Sequence, residues 1–207
     1  MNETGLTLGQ CGSNRRVIGS SLTKRTYEKT PDASREWVTI VEGISAVGVA
    51  LRPLVIFKGK SLQTSWFKRD SVPDWHYTPS ENAYTTNQIG LRWLKETFLP
   101  ATARNPPQTR VLILDNQGSH TTTEFLFECL QNQVELYFLI PHTSHVCQPL
   151  DLCPFSIIKA KYKQLVVELA HYDNAEKIKK IRFIELYEQA RNEGLTQKNI
   201  LAGWRAT

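Results

Sequence analysis

The segment Val111-Leu-Ile-Leu-Asp115, running into Asn116-Gln-Gly-Ser-His120, constrains this chain most. Four consecutive apolar residues that end at turn-forming residues read as a β-strand buried on both faces. A helix pattern follows at once. Thr121-Thr-Thr-Glu124 supplies capping hydroxyls and an acid for a first turn, and Phe125 to Leu130 supplies the apolar positions. Gln131-Asn-Gln133 ends that helix, and Val134 to Ile140 reads as the next buried strand. Strand, helix and strand at this spacing make a right-handed βαβ unit with parallel strands. The chain is therefore α/β. Asp115 stands at the carboxyl end of the first of these strands, where open α/β sheets gather ligands and ions. Read alone, the same aspartate is also a good helix N-cap.

A second acid makes the capping reading too narrow. Asp151 is the only acid between Glu135 and Glu168, and it opens a helix that carries Lys159, Lys161 and Lys163. One acid that ends a strand and another that opens a helix can converge on a divalent cation, since Mg²⁺ takes one or two carboxylates plus phosphate oxygens. His142 and His145 fall in the loop after the second strand, close to that convergence, as catalytic, phosphate-binding or loop-ordering groups. Lys159 and Lys163 share a helix face and suit contact with a DNA backbone, although solvated lysine is the simpler alternative. His142, His145, Cys147 and Cys153 crowd one segment, but their spacing matches no common zinc module.

The earlier part of the chain reads as strands and turns. Trp37-Val-Thr-Ile-Val41 and Leu54-Val-Ile-Phe57 have the β-branched and aromatic character of strands, with a turn region over 43–48 between them. Residues 10–35 read as basic loop with short irregular strands, and Arg15-Arg16 and Lys24-Arg25 as a solvated surface or, in the sharper reading, contacts to a phosphate backbone. Residues 61–80 read as mixed loop whose aromatics pack rather than stack on bases. A helical pattern from Asn87 to Phe98 is expected to stop at Pro100. Another amphipathic helix follows Lys177–Arg182, with Phe183, Ile184, Leu186 and Tyr187 on its apolar side.

Several stretches in one order resemble the DDE-type transposases of the pogo, Tigger and Fot group, to which centromere protein B is related. They are Asn2-Glu-Thr-Gly5, Glu36-Trp-Val-Thr-Ile-Val-Glu42, Pro53-Leu-Val-Ile-Phe-Lys-Gly-Lys60, Leu112-Ile-Leu-Asp-Asn-Gln-Gly-Ser-His120, Pro141-His-Thr-Ser-His145, Gln148-Pro-Leu-Asp151 and Gly203-Trp-Arg-Ala-Thr207. The resemblance implies a ribonuclease H-like mixed sheet flanked by helices. It also implies three catalytic acids and a pair of Mg²⁺ or Mn²⁺ ions that clamp an in-line phosphodiester displacement. Asp115 and Asp151 match two of the acids and are the expected metal ligands. The first acid is replaced by Asn2, whose neutral amide lacks the charge a hard cation wants. Asn116-Gln117 departs from the Gly-His usual after the second acid.

The expected function is thus a transposon-derived DDE endonuclease domain with impaired cleavage. The alternative is a non-catalytic DNA-binding or degenerate remnant. The expected partner is DNA, the expected compartment is the nucleus, and a homo-oligomer is allowed. The chain is read as a single domain over 1–207. Relative to the family it is cut at both ends, without the first strand and the N-terminal helix-turn-helix region.

Composition fits this reading without deciding it. A chain of 207 residues with 41% hydrophobic and 22% charged residues suits one globular domain. A formal charge of +5 permits a phosphate-rich partner. No apolar run approaches the 18 or so residues a membrane helix needs. Four cysteines with no Cys-x-x-Cys pair read as reduced thiols.

Overall fold

The computed structural model describes residues 1–8, 36–68, 72–115, 118, 121–141, 143–172 and 180–207, with the side chains of 144, 145 and 170–172 excepted. Strand β1 (Asn2–Leu8) pairs antiparallel with β2 (Glu36–Glu42) along its whole length, from Asn2 opposite Glu42 to Leu8 opposite Glu36. Strand β3 (Leu54–Lys58) is antiparallel to β2, and β4 (His76–Ser80) runs parallel to β3. Beside this four-stranded sheet lies a parallel pair, β5 (Arg110–Leu114) and β6 (Val134–Phe138). The Met1 nitrogen donates to the Ile113 carbonyl at 2.9 Å, which ties the β1 edge to β5.

The motif Asn2-Glu-Thr-Gly5, expected to follow a missing first strand, is itself strand: β1 contains it and stands first in the sheet, paired with β2. Its side chains alternate between the two faces of the sheet, as a period of two requires. Asn2, Thr4, Leu6 and Leu8 are buried on one face. Gly5 lies on the other face under the Trp37 indole, which occupies the place a Cβ would take.

Helices cover both faces. Helix α1 (Asn87–Trp93) starts at Thr86, whose hydroxyl accepts the Ile89 N–H. A π-turn (Leu94–Phe98) carries it into α2 (Leu99–Thr102). Pro100 therefore does not stop the helix. It sits in the first turn of α2, where its missing N–H costs little. Helix α3 (Thr123–Gln131) is capped by Thr122 and joins β5 to β6, which completes the expected βαβ unit. These elements enclose one apolar cluster, with Val41, Leu54, Ile56, Trp93, Leu114 and Phe125 at its heart.

The opposite face is covered by α4 (Ser144–Cys147), α5 (Pro149–Leu152), α6 (Pro154–Tyr172), α7 (Lys180–Gly194) and α8 (Gln197–Arg205). Phe155, Ile158, Tyr162 and Val166 form the buried stripe of α6 at helical spacing. They meet Phe183, Ile184 and Tyr187 of α7 over Val38, Ile40, Val55 and Phe57. Trp66 and Trp75 pack edge-on against Phe57 and Tyr187, at ring distances of 5.5 and 5.7 Å, so these aromatics pack as expected.

Two strand expectations change. Residues 61–80 are not all loop, because β4 forms there. It is an edge strand, the position at which Pro79 is tolerated. Among the described residues, strand β5 is buried on one face only. Leu112 and Leu114 are interior, whereas Val111 is 61% exposed, as is Tyr137 on β6. The basic pairs Arg15-Arg16 and Lys24-Arg25 lie outside the described residues.

Candidate active site at the ends of β1 and β5

Residues from three parts of the chain meet where β1 begins and β5 ends. Asn2 is the first residue of β1 and is 7% exposed. Its carboxamide is held at both ends. The Oδ1 accepts the Glu3 N–H at 2.9 Å, and the Nδ2 donates to Asp151 Oδ2 at 2.9 Å. The first contact fixes the second, because an amide oxygen engaged by Glu3 leaves only the NH₂ group to face Asp151. A charged acceptor makes this one of the stronger kinds of hydrogen bond.

Asp151 reaches this position because short helices brace it. Pro149 opens α5, and its fixed φ suits a first helical turn. Gly203 of α8 packs directly against the Pro149 carbonyl, where a Cβ would overlap it. Gln148, 2% exposed, donates from Nε2 to the Met1 carbonyl at 2.8 Å. The Tyr162 hydroxyl of α6 donates to the Thr7 carbonyl at 3.3 Å. Both bonds dock the α5–α6 region against β1. Burial pushes the Asp151 carboxyl above its ordinary value, while the Asn2 hydrogen bond and the Lys159 charge oppose that shift.

Asp115 directly follows β5, half-buried, and its charge acts on Glu3 and on the Met1 amino group. Glu3 is the group that sequence reasoning missed. Burial pushes its carboxyl up to about 7, with the Thr85 hydroxyl opposing the shift and the Asp115 charge adding to it. Its place in Asn2-Glu-Thr-Gly5 was the available signal, since strand alternation turns it to the face opposite Asn2.

A carboxyl with folded pKa near 7 and an ordinary value of 4.5 binds more protons folded than unfolded between those values. Its contribution to stability is fully present below about pH 4.5 and is lost as pH rises through about 7. Glu3→Gln should therefore match the parent near pH 4 and exceed it above pH 7.5, by up to roughly 3 kcal/mol. Urea unfolding at both pH values checks this, and an equal difference at both would contradict it.

The other sequence candidates are placed as follows. Lys159 and Lys163 are exposed on α6, and the Lys159 ammonium lies 5.9 Å from the Phe155 ring centre. Lys161 differs from them, pairing with Glu193 at 2.8 Å. The backbone of His145 lies in α4, while His142, Asn116 and Gln117 lie outside the described residues. Among the described residues no group of three or more His, Cys, Asp or Glu side chains is arranged to hold a metal ion. Asn2 does not make up the number, since its oxygen is engaged by the Glu3 N–H and its NH₂ faces Asp151. A cation ligand must be an acceptor, and Asn2 presents a donor. As arranged here, these residues do not fit the ion pair that the family resemblance implies.

Comparison with known proteins decides the family. The model of the DDE superfamily endonucleases matches residues 34–204. The chain belongs to that family. Its structure is also similar to two solved structures, the "Mos1 transposase paired-end complex with left transposon end" and the "Crystal structure of the Mos1 Strand Transfer Complex". Their TM-scores are 0.51 and 0.50, each at 10% identity over 97% of this chain and 53% and 52% of theirs. At that identity the likeness establishes the fold, a ribonuclease H-like mixed sheet flanked by helices. A protein of Cochliobolus lunatus, named "MFS-type transporter clz9", is 32% identical over 205 residues. That match takes in 99% of this chain, which spans only 22% of the relative's length. Among the described residues no helix is long and apolar enough to cross a membrane.

Proposed function

We propose that this DDE domain binds duplex DNA on the face that carries Asp151, Lys159 and Lys163, and that its strand cleavage is greatly weakened. The observation that carries the reading is the hydrogen bond from Asn2 to Asp151, which occupies a family acid with a neutral donor. Family membership supplies the scaffold, and the positive balance of the chain favours a polyanionic partner. The two Mos1 structures are named as a transposon-end complex and a strand transfer complex, which supports DNA as the partner here. Within the superfamily we place the chain with the pogo, Tigger and Fot group, acting in the nucleus. A second reading keeps metal-dependent DNA strand cleavage and transfer, because Asp115 and Asp151 are both present at the ends of their elements.

Phosphate contacts release counterions, so each one lost lowers both affinity and its salt dependence. The combined substitution Lys159→Ala and Lys163→Ala should weaken binding to a 30-base-pair duplex about equally for any sequence. It should also reduce the slope of log affinity against log salt by about 2. Fluorescence anisotropy across a salt series measures both quantities. Unchanged affinity and slope would remove α6 from the DNA-binding face.

A further inference from the structure

We propose that the Asn2 carboxamide takes over the structural part of a bound cation and makes the assembly of this site independent of divalent metal. The inference rests on the reading that Asn2 and Asp151 stand at acid positions of a DDE site. It concerns what holds those positions together, not what they cut.

Two carboxylates this close repel, and each disfavours ionisation of the other unless a cation lies between them. A carboxamide removes the conflict. Its NH₂ donates to Asp151 Oδ2 at 2.9 Å, and its oxygen accepts the Glu3 N–H at 2.9 Å. One neutral side chain thus satisfies an acceptor on α5 and a main-chain donor on β1. The surroundings are built for a fixed contact. Asn2 is 7% exposed, Gln148 is 2% exposed and bonds the Met1 carbonyl beside it, and Gly203 lets α8 press α5 towards the sheet. A direct protein bridge between strand and helix leaves nothing for a divalent ion to complete. The face that carries Lys159 and Lys163 would then keep its shape in chelator, as a module that binds without cutting requires.

The test is thermal unfolding of the full chain and of Asn2→Asp, in EDTA and in 5 mM Mn²⁺ or Mg²⁺. The parent should unfold at the same temperature in all three conditions. Asn2→Asp should unfold about 3–8 °C lower in EDTA, as expected for a lost charge-assisted hydrogen bond in a chain of this size, and recover with Mn²⁺. Asn2→Ala should lose a similar amount and regain nothing with metal. Calorimetric titration of Mn²⁺ into the parent should show no site, and this holds even if a variant fails to fold. A rise in the parent's unfolding temperature with Mn²⁺, or a saturable Mn²⁺ site in the parent, would overturn the proposal. So would an Asn2→Asp variant that is as stable in EDTA as the parent. Loss of DNA binding by the lysine variant bears on the DNA-binding face alone, so the two readings can fail separately.

Discussion

Arg191→Ala should destabilise the fold by about 3–5 kcal/mol, the largest loss expected from a single change outside the apolar core. Glu42 ends β2 with none of its surface exposed. Its carboxylate is held by α7. Arg191 donates from Nε to Oε1 at 2.7 Å and from Nη2 to Oε2 at 3.1 Å, and the Tyr187 hydroxyl donates to Oε1 at 2.8 Å. Arg191 Nη2 also reaches the Leu51 carbonyl at 2.6 Å, which ties the turn after β2 to the same group. The planar guanidinium matches this fork of acceptors in a way that lysine does not. Removing it leaves a buried carboxylate with only the tyrosine hydroxyl, and an uncompensated buried charge costs far more than the pair contributes. Glu42→Gln in the Arg191→Ala background should therefore recover part of the loss. Urea denaturation followed by circular dichroism measures both. A loss below about 1 kcal/mol for Arg191→Ala would mean that water replaces the guanidinium, as at a surface pair.

Much of the fold is legible along the chain because its strongest signals are local. Thr122 before an apolar helix pattern predicts the start of α3, and the apolar runs on either side predict β5 and β6 in parallel. The stripe of Phe183, Ile184, Leu186 and Tyr187 predicts the buried side of α7. What escapes is decided by neighbours distant in sequence. His76-Tyr-Thr-Pro-Ser80 has one interior residue, Thr78, and a proline, so nothing local marks it as a strand until β3 pairs with it. Pro100 looks like a helix stop because the π-turn that carries the chain into it has no sequence signature. A run of four apolar residues cannot say how many faces are covered, and the Val111 side of β5 is open among the described residues.

The site divides in the same way. Asp115 and Asp151 stand out because each is an isolated acid at the end of an element, and Asn2 stands out because its motif resembles one with an aspartate there. The hydrogen bond from Asn2 to Asp151 spans 149 positions and exists only because the fold sets β1 beside α5. Glu3 carries no such local mark, because it is the alternation of β1 that buries its carboxyl where the Asp115 charge acts on it. His145 illustrates the reverse. Its segment reads as loop, yet its backbone forms the short helix α4.

Placing an acid at position 2 should have the largest effect on chemistry. Asn2→Asp supplies a carboxylate where the resemblance to DDE-type transposases implies one and removes the donor that now occupies Asp151. A missing charged ligand costs about 4 kcal/mol of transition-state stabilisation, which is roughly a thousandfold in rate. The most direct measurement is nicking of supercoiled plasmid in Mg²⁺ or Mn²⁺ by the parent, by Asn2→Asp, and by Asn2→Asp combined with Asp115→Ala. The account predicts no cleavage above background for the parent, metal-dependent nicking for Asn2→Asp, and its loss when Asp115 is also replaced. Nicking by the parent, or nicking that survives Asp115→Ala, would contradict it.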